Sequence, residues 1–135
     1  MVKIQLVYEG DLHCKLRHGP SGTIITTDAP VDNQGKGESF SPTDLLASSL
    51  GSCMMTVMAI AARKDKIELK GTTLDIVKEM ATQPVRRIAR VSITFHMASG
   101  IAPAHRKMLE AAAHNCPVSK SLNPDTEVVI EFQYP

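Results

Sequence analysis

The sequence predicts an α+β fold in a single domain, on three observations. Short stretches of alternating apolar and polar residues fall near the start, in the middle and at the end of the chain, the period of half-buried strands. One stretch, Leu45 to Ala62, runs without a charge and follows helix-start chemistry. The predicted order is three strands, a helix, two strands, two helices and a strand, which groups strands and helices in runs rather than alternating them.

Each element has its own warrant. Val2, Ile4, Leu6 and Tyr8 alternate with mostly polar neighbours, Gly10-Asp11 signals a turn, and Leu12, Cys14 and Leu16 alternate with His13, Lys15 and Arg17, which together predict a β-hairpin. Thr23 to Thr27 is β-branched and predicts a third strand. A polar, glycine-containing loop follows, Asp28 to Ser39. Ser41 suits a helix N-cap, Pro42 the first helical position, and Asp44 the reciprocal place in a capping box. The helix is expected from Pro42 to about Lys64, a length of about 34 Å at 1.5 Å per residue. Arg63, Lys64 and Lys66 sit near its C-terminal end, where cations suit the dipole. Two strands are expected around 67–80 and 85–97, with Gln83-Pro84 in the turn between them. A second helix is expected from Pro103 to Asn115, with Met108, Leu109, Ala112 and Ala113 facing inward. Pro117 cannot continue it and starts a short helix to Leu122 with Cys116 at its N-cap. Glu127 to Tyr134 alternates as a closing strand.

Composition bounds the function. The 135 residues are 43% hydrophobic and 21% charged, with no Trp and seven Met, so the core is built from aliphatic and thioether side chains. A net charge of +1 offers no field for nucleic acid or an anionic membrane. Arg86-Arg87 and Arg90 have no interleaved aromatics and are expected on a solvated face. The uncharged stretch Leu45–Ala62 touches the lower limit of a membrane span, but it contains Ser48, Ser49, Gly51, Ser52 and Thr56 and runs into Arg63-Lys64-Asp65-Lys66, so a buried central helix is expected instead. The N-terminus lacks the pattern of a signal peptide, and three cysteines make an odd number for a disulfide framework; a cytoplasmic protein with reduced thiols is expected. His114 and Cys116 are close in sequence without further ligands at useful spacing, so no metal site and no cofactor are called for.

The chemistry rests on Cys53 and Cys116. Cys116, at the start of a short helix, would lie near free backbone N–H groups, which favour a thiolate. Cys53 is in mid-helix without such local help and, taken alone, reads as a small buried hydrophobe or as a nucleophile activated by a cation from elsewhere. Cys14 faces with Leu12 and Leu16 and reads as core.

The run Ser41-Pro-Thr-Asp-Leu-Leu-Ala-Ser-Ser-Leu-Gly-Ser-Cys53 resembles the helix signature of the OsmC/Ohr family, the osmotically inducible and organic hydroperoxide resistance proteins. Asn115-Cys116-Pro117-Val118-Ser119 resembles the family's second-cysteine motif, and the element order agrees over nearly the whole chain. The resemblance implies an OsmC-like fold: an antiparallel sheet packed with a long central helix and a second helix, in an intertwined homodimer with sites at the interface. It implies a cysteine-based peroxidase for organic hydroperoxides. Cys53 would attack the peroxide and become a sulfenic acid, Cys116 would condense with it to a disulfide, and a lipoyl-type dithiol would restore the pair.

The resemblance also implies an Arg that stabilises the thiolate and a carboxylate that holds the Arg. Arg17 in Leu-Arg-His-Gly resembles the N-terminal Arg of hydroperoxide-resistance members. Many members carry Asn-Pro-Glu where this chain has Ser41-Pro42-Thr43, so the carboxylate must come from elsewhere. Glu38 is preferred; Asp44, half a turn away from Cys53 around the helix, is accounted for by capping. Phe40, Leu46, Leu50, Met54 and Val57 are candidates for an apolar substrate pocket or for plain core. The departure at Thr43 keeps open a non-catalytic OsmC-like dimer that binds a small apolar ligand. A Cys-nucleophile hydrolase would need a His base near Cys53, which no motif supplies.

Overall fold

The structure, a computed structural model, describes residues 1–135. It divides into two compact units, Met1–Leu46 and Ala47–Pro135.

The first unit is built on a three-stranded antiparallel sheet in the order β1 (Ile4–Gly10), β2 (His13–His18), β3 (Ile24–Asp28). The hairpin between β1 and β2 turns through Gly10, Asp11 and Leu12, all with positive φ. Leu12 therefore belongs to the turn rather than to the strand its alternation suggested. Its N–H donates to the Tyr8 hydroxyl at 3.3 Å and its carbonyl accepts from Ala29 N–H at 3.1 Å. Along β2, Cys14, Leu16 and His18 are half-buried while Lys15 and Arg17 are exposed, the two-residue period of a strand whose successive side chains point to opposite faces. The polar loop after β3 contains a single 3₁₀ turn at Val31–Asn33 and folds back sharply at Gly35, where a Cβ would fall 1.6 Å from the Ala29 carbonyl oxygen.

Helix α1 spans Pro42–Lys64, as the sequence predicted. Its start is a reciprocal capping box: Asp44 N–H donates to Ser41 Oγ at 3.1 Å, and Ser41 N–H donates to Asp44 Oδ2 at 2.8 Å. Aspartate does here what glutamate usually does. By length and composition α1 is apolar enough to cross a membrane. Ala47, Leu50, Gly51, Met54, Met58 and Ala62 recur every three or four residues and form one buried face. Burial all round is not observed, because Ser49, Ser52, Thr56 and Ile60 form an exposed stripe on the other side.

The second unit packs that buried face on the sheet β4 (Thr73–Ala81), β5 (Arg87–His96), β6 (Glu127–Gln133), with β5 in the centre. β4 starts later than the sequence suggested. Positive φ at Lys66 and Gly71 and the Thr72 N–H to Leu69 carbonyl bond of 3.1 Å make 67–72 a turn-rich connection. β4 and β5 are antiparallel, but β6 runs parallel to β5. The reason lies in the connection: α2 (Pro103–Ala113) and α3 (Pro117–Lys120) carry the chain back before β6 begins, and only a long crossover permits a parallel pair. Leu50, Met54, Met58, Val91, Ile93, Phe95, Leu109, Ala113 and Cys116 form the core, and the Phe95 and Phe132 rings stack at 4.8 Å. Gly51 allows a close approach of helix to sheet, since a Cβ there would sit 2.5 Å from Ile76 Cδ1.

Candidate active site

Cys53 occupies the fourth turn of α1, on the border between the buried face and the exposed stripe, and is half-buried. Its position follows from its neighbours. Leu50 and Met54 fix the helix on the core, and Gly51 brings the same turn down onto β4. Cys116 is completely buried at the junction of α2 and α3. Pro117 ends the run of α2, and the short helix after it turns its first amides toward the cysteine: Ser119 N–H donates to Cys116 Sγ at 3.4 Å.

The two thiols meet. Cys53 and Cys116 are neighbours within the second unit: Cys53 packs against the core cluster that contains Cys116. The Leu50 carbonyl, three residues before Cys53, lies 4.0 Å from Cys116 Sγ and accepts from its S–H. Burial pushes the Cys116 thiol above its ordinary value of 9.0, and the Cys53 sulfur beside it pushes the same way. Backbone N–H groups of Ser119 and Val118 pull downward without prevailing. The sequence placed Cys116 correctly at an N-cap, but the expected easing toward thiolate does not result: desolvation in the core outweighs a four-residue helix. Cys116 is thus kept as a protonated thiol beside the sulfur of Cys53.

The remaining candidates lie in different places. Leu50 and Met54 are core residues with no exposed surface, Val57 is half-buried, and Phe40 and Leu46 are exposed. Arg17 lies on the exposed face of β2, where its Cα partners are Gln5 and Ile24, and it lines an open concavity with Lys15 and Glu9. Glu38 lines another, with His13, Asp28, Lys36 and also Glu9. The structure brings Cys53 and Cys116 together, and the concavities lined by Arg17 and by Glu38 share Glu9. Asp44 is engaged by the cap, and Thr43 Oγ1 lies 3.0 Å from Ser41 Oγ. Cys14 is half-buried between Tyr8 and Thr27. No group of three or more His, Cys, Asp or Glu side chains is placed to share a metal ion.

Sequence reasoning missed Ser119 and Gly51. A serine three residues after a capping cysteine marks where the amide will point. A glycine inside a strong helix pattern marks a close approach.

The model of the OsmC-like proteins matches residues 35–131, a segment that contains both cysteines and the helix signature. The chain belongs to the OsmC-like family. Its OsmC-like fold has a near relative in a protein from Psychrobacter arcticus 273-4 named for osmotic stress and a detoxification response: 44% identity over 98% of this chain and 96% of that one, with a TM-score of 0.93. The fold recurs at 17% identity and a TM-score of 0.78 in an organic hydroperoxide resistance protein of Legionella pneumophila, over 98% of this chain and 96% of that one. It recurs at 18% identity and a TM-score of 0.76 in a Vibrio cholerae protein of the same designation that carries captopril in one of its active sites, over 98% of this chain and 90% of that one. No curated protein matches the chain.

Proposed function

We propose that this OsmC-like protein is a thiol-dependent peroxidase that reduces organic hydroperoxides to alcohols. The observation that carries the proposal is the contact between half-buried Cys53 and the buried, protonated Cys116. The Cys53 thiolate attacks the outer oxygen of ROOH. The S–O bond forms, the O–O bond breaks, and the alkoxide leaves as ROH on taking a proton; Cys53 is oxidised to a sulfenic acid by two electrons. Cys116 sulfur then attacks the Cys53 sulfur, and hydroxide leaves with the Cys116 proton as water. A dithiol of the lipoyl type reduces the disulfide by exchange and becomes a disulfide itself.

Arg17 is the proposed cation for the thiolate and Glu38 the carboxylate that orients it. Phe40, Leu46, Leu50, Met54 and Val57 are the proposed apolar surroundings of the peroxide. The protein is proposed to work in the cytoplasm as a homodimer; the exposed Ile4, Leu6, Tyr8 and Ile25 of the first unit support a covering partner. A second reading, a non-catalytic dimer binding a small apolar ligand, is favoured by one observation: at the helix start Asp44 is engaged by the cap and Thr43 is not a carboxylate.

The deciding experiment treats reduced protein with one equivalent of cumene hydroperoxide, followed by peptide mass spectrometry. A Cys53–Cys116 disulfide within seconds, with Cys14 still free, supports the peroxidase. Thiols that stay reduced sink it in favour of the binding protein. Arg17→Ala is expected to slow the peroxide step on the order of 10²-fold, and an unchanged rate removes Arg17 from the site.

A further inference from the structure

Asp28 ends β3 as a carboxylate only 4% exposed, and every hydrogen-bonding direction around it leads to the loop before α1 or to one histidine. Its Oδ1 accepts from His13 Nδ1–H and its Oδ2 accepts from Glu38 N–H at 2.9 Å. Its own N–H donates to the Phe40 carbonyl at 3.1 Å, and between these two Ser39 Oγ–H donates to the Thr26 carbonyl at 3.0 Å. Three consecutive residues, Glu38 to Phe40, are thereby tied to the end of one strand. Little apolar burial helps: Phe40 is 56% exposed and Val31 74% exposed. Polar bonds hold this limb of the loop, and two of them end on Asp28.

His13 faces carboxylates on both sides. Its Nδ1 meets Asp28 and its Nε2 lies 3.5 Å from Glu9 Oε2 on β1. Glu38 and Lys36 face the same space from the loop, and Asp11 from the turn, with Lys36 Nζ 3.8 Å from the Asp11 carboxylate. An imidazolium can donate to both neighbours. A neutral imidazole has one N–H and leaves a lone pair against a carboxylate.

We propose that Asp28 is the positioning residue that fixes Glu38 and Phe40, and that His13 is a latch on it that loosens when its imidazole gives up a proton. The link to catalysis rests on Glu38 being the carboxylate of the proposed site; the latch itself does not. The electrostatics agree in sign. The hydrogen bond to Asp28 holds His13 above its ordinary 6.5, with Glu9 and Glu38 adding to it. The same bond holds Asp28 below 3.8, aided by Glu38 N–H. A raised histidine stabilises the folded loop fully below 6.5 and loses that contribution as pH rises through its folded value. A lowered aspartate stabilises it above 3.8 and loses that contribution as pH falls through its folded value. The latch is therefore closed in mildly acidic solution and opens on the alkaline side.

Hydrogen–deuterium exchange of the reduced full-length protein tests this without turnover. The readout is a peptide covering 29–40, corrected for intrinsic amide chemistry, at about pH 6 and about pH 9. In the wild type this peptide should exchange several-fold faster at the higher pH, with the β4–β5 peptides unchanged. His13→Gln should be fast at both pH values, and so should Asp28→Asn. Exchange that ignores pH in the wild type, or a His13→Gln protein that keeps the wild-type response, overturns the proposal. If Asp28→Asn does not fold, the wild type and His13→Gln still decide it. A latch that behaves as stated in a protein that forms no Cys53–Cys116 disulfide stands, and only its link to the peroxidase is lost.

Discussion

The Cys116 sulfur sits beside Cys53 with its S–H donating to the Leu50 carbonyl at 4.0 Å, and the amide of Ser119 donates to it at 3.4 Å. The two cysteines thus differ in kind. One is half-exposed at the edge of a helix face; the other is sealed in the core and kept as a thiol. In the proposed reaction a peroxide meets the first, and the second waits beside it.

That asymmetry predicts different fates for the two serine variants. Cys53→Ser should lower peroxide consumption about 10³-fold or more, as loss of a nucleophile does. Cys116→Ser should still consume one equivalent, then hold Cys53 as a sulfenic acid that a dimedone probe captures. Capture at Cys116 in the Cys53→Ser protein, at the wild-type rate, would reverse the assignment.

Gly51 sets the height of α1 above β4. A methyl group there would lie 2.5 Å from Ile76 Cδ1 and 3.3 Å from Ile76 Cγ1. Gly51→Ala should cost about 1–3 kcal/mol through overpacking, partly offset by a helix-propensity gain of about 1 kcal/mol. Ile76→Val removes the nearer atom, so in that background Gly51→Ala should become close to neutral. Urea denaturation of the four proteins measures the coupling, and an additive cycle would show that the close approach is not what the glycine serves.

The capping box should be separable from chemistry. Ser41→Ala removes the acceptor of Asp44 N–H and should destabilise the protein by about 1 kcal/mol. Asp44→Ala should do the same while leaving the rate of Cys53 oxidation unchanged. A slowed rate in a fully folded Asp44→Ala protein would return Asp44 to the list of candidate carboxylates.

Alkaline stability should fall in two stages. The Cys116 thiol is raised above 9.0 by burial, so the folded state keeps a proton that the unfolded chain releases; stability is intact below 9.0 and declines as pH rises through the folded value. Tyr134, pushed from 10.0 up to about 12 by burial and by its 2.9 Å hydrogen bond to Glu110 Oε1, adds a second decline between those values. Cys116→Ala should remove the first slope and Tyr134→Phe the second, whatever either does to stability at neutral pH. Urea midpoints measured across the alkaline range report both.

The sequence made α1 and the N-cap of α3 legible because local chemistry decides them: Ser41, Pro42 and Asp44 for one, Cys116 and Pro117 for the other. The two cysteine motifs marked both thiols. Contact between them depends on α2 returning over the sheet, which no local pattern encodes. The parallel pairing of β6 was missed for the same reason: alternation from Glu127 to Gln133 gives a strand but not its direction. Burial of Cys116 overrode its helix-terminal position, because desolvation is set by what packs around the thiol. Arg17 was placed on a strand correctly, yet its neighbours Gln5 and Ile24 come from registers that alternation alone does not fix.

The parallel β6 also has a consequence for how the chain is made. β4 and β5 are joined by a short turn, whereas β6 must wait until the segment between His96 and Glu127 has closed into a loop, and chain entropy opposes that closure until the pairing forms. Cys116 lies inside that loop. Its protection should therefore arrive with the last step of folding, and pulsed alkylation during refolding should find Cys116 open after the β4–β5 amides are already protected. Until then the newborn chain carries the thiol it will later seal away as an ordinary exposed one, so the oxidants this fold is proposed to remove are most dangerous to it before it is finished.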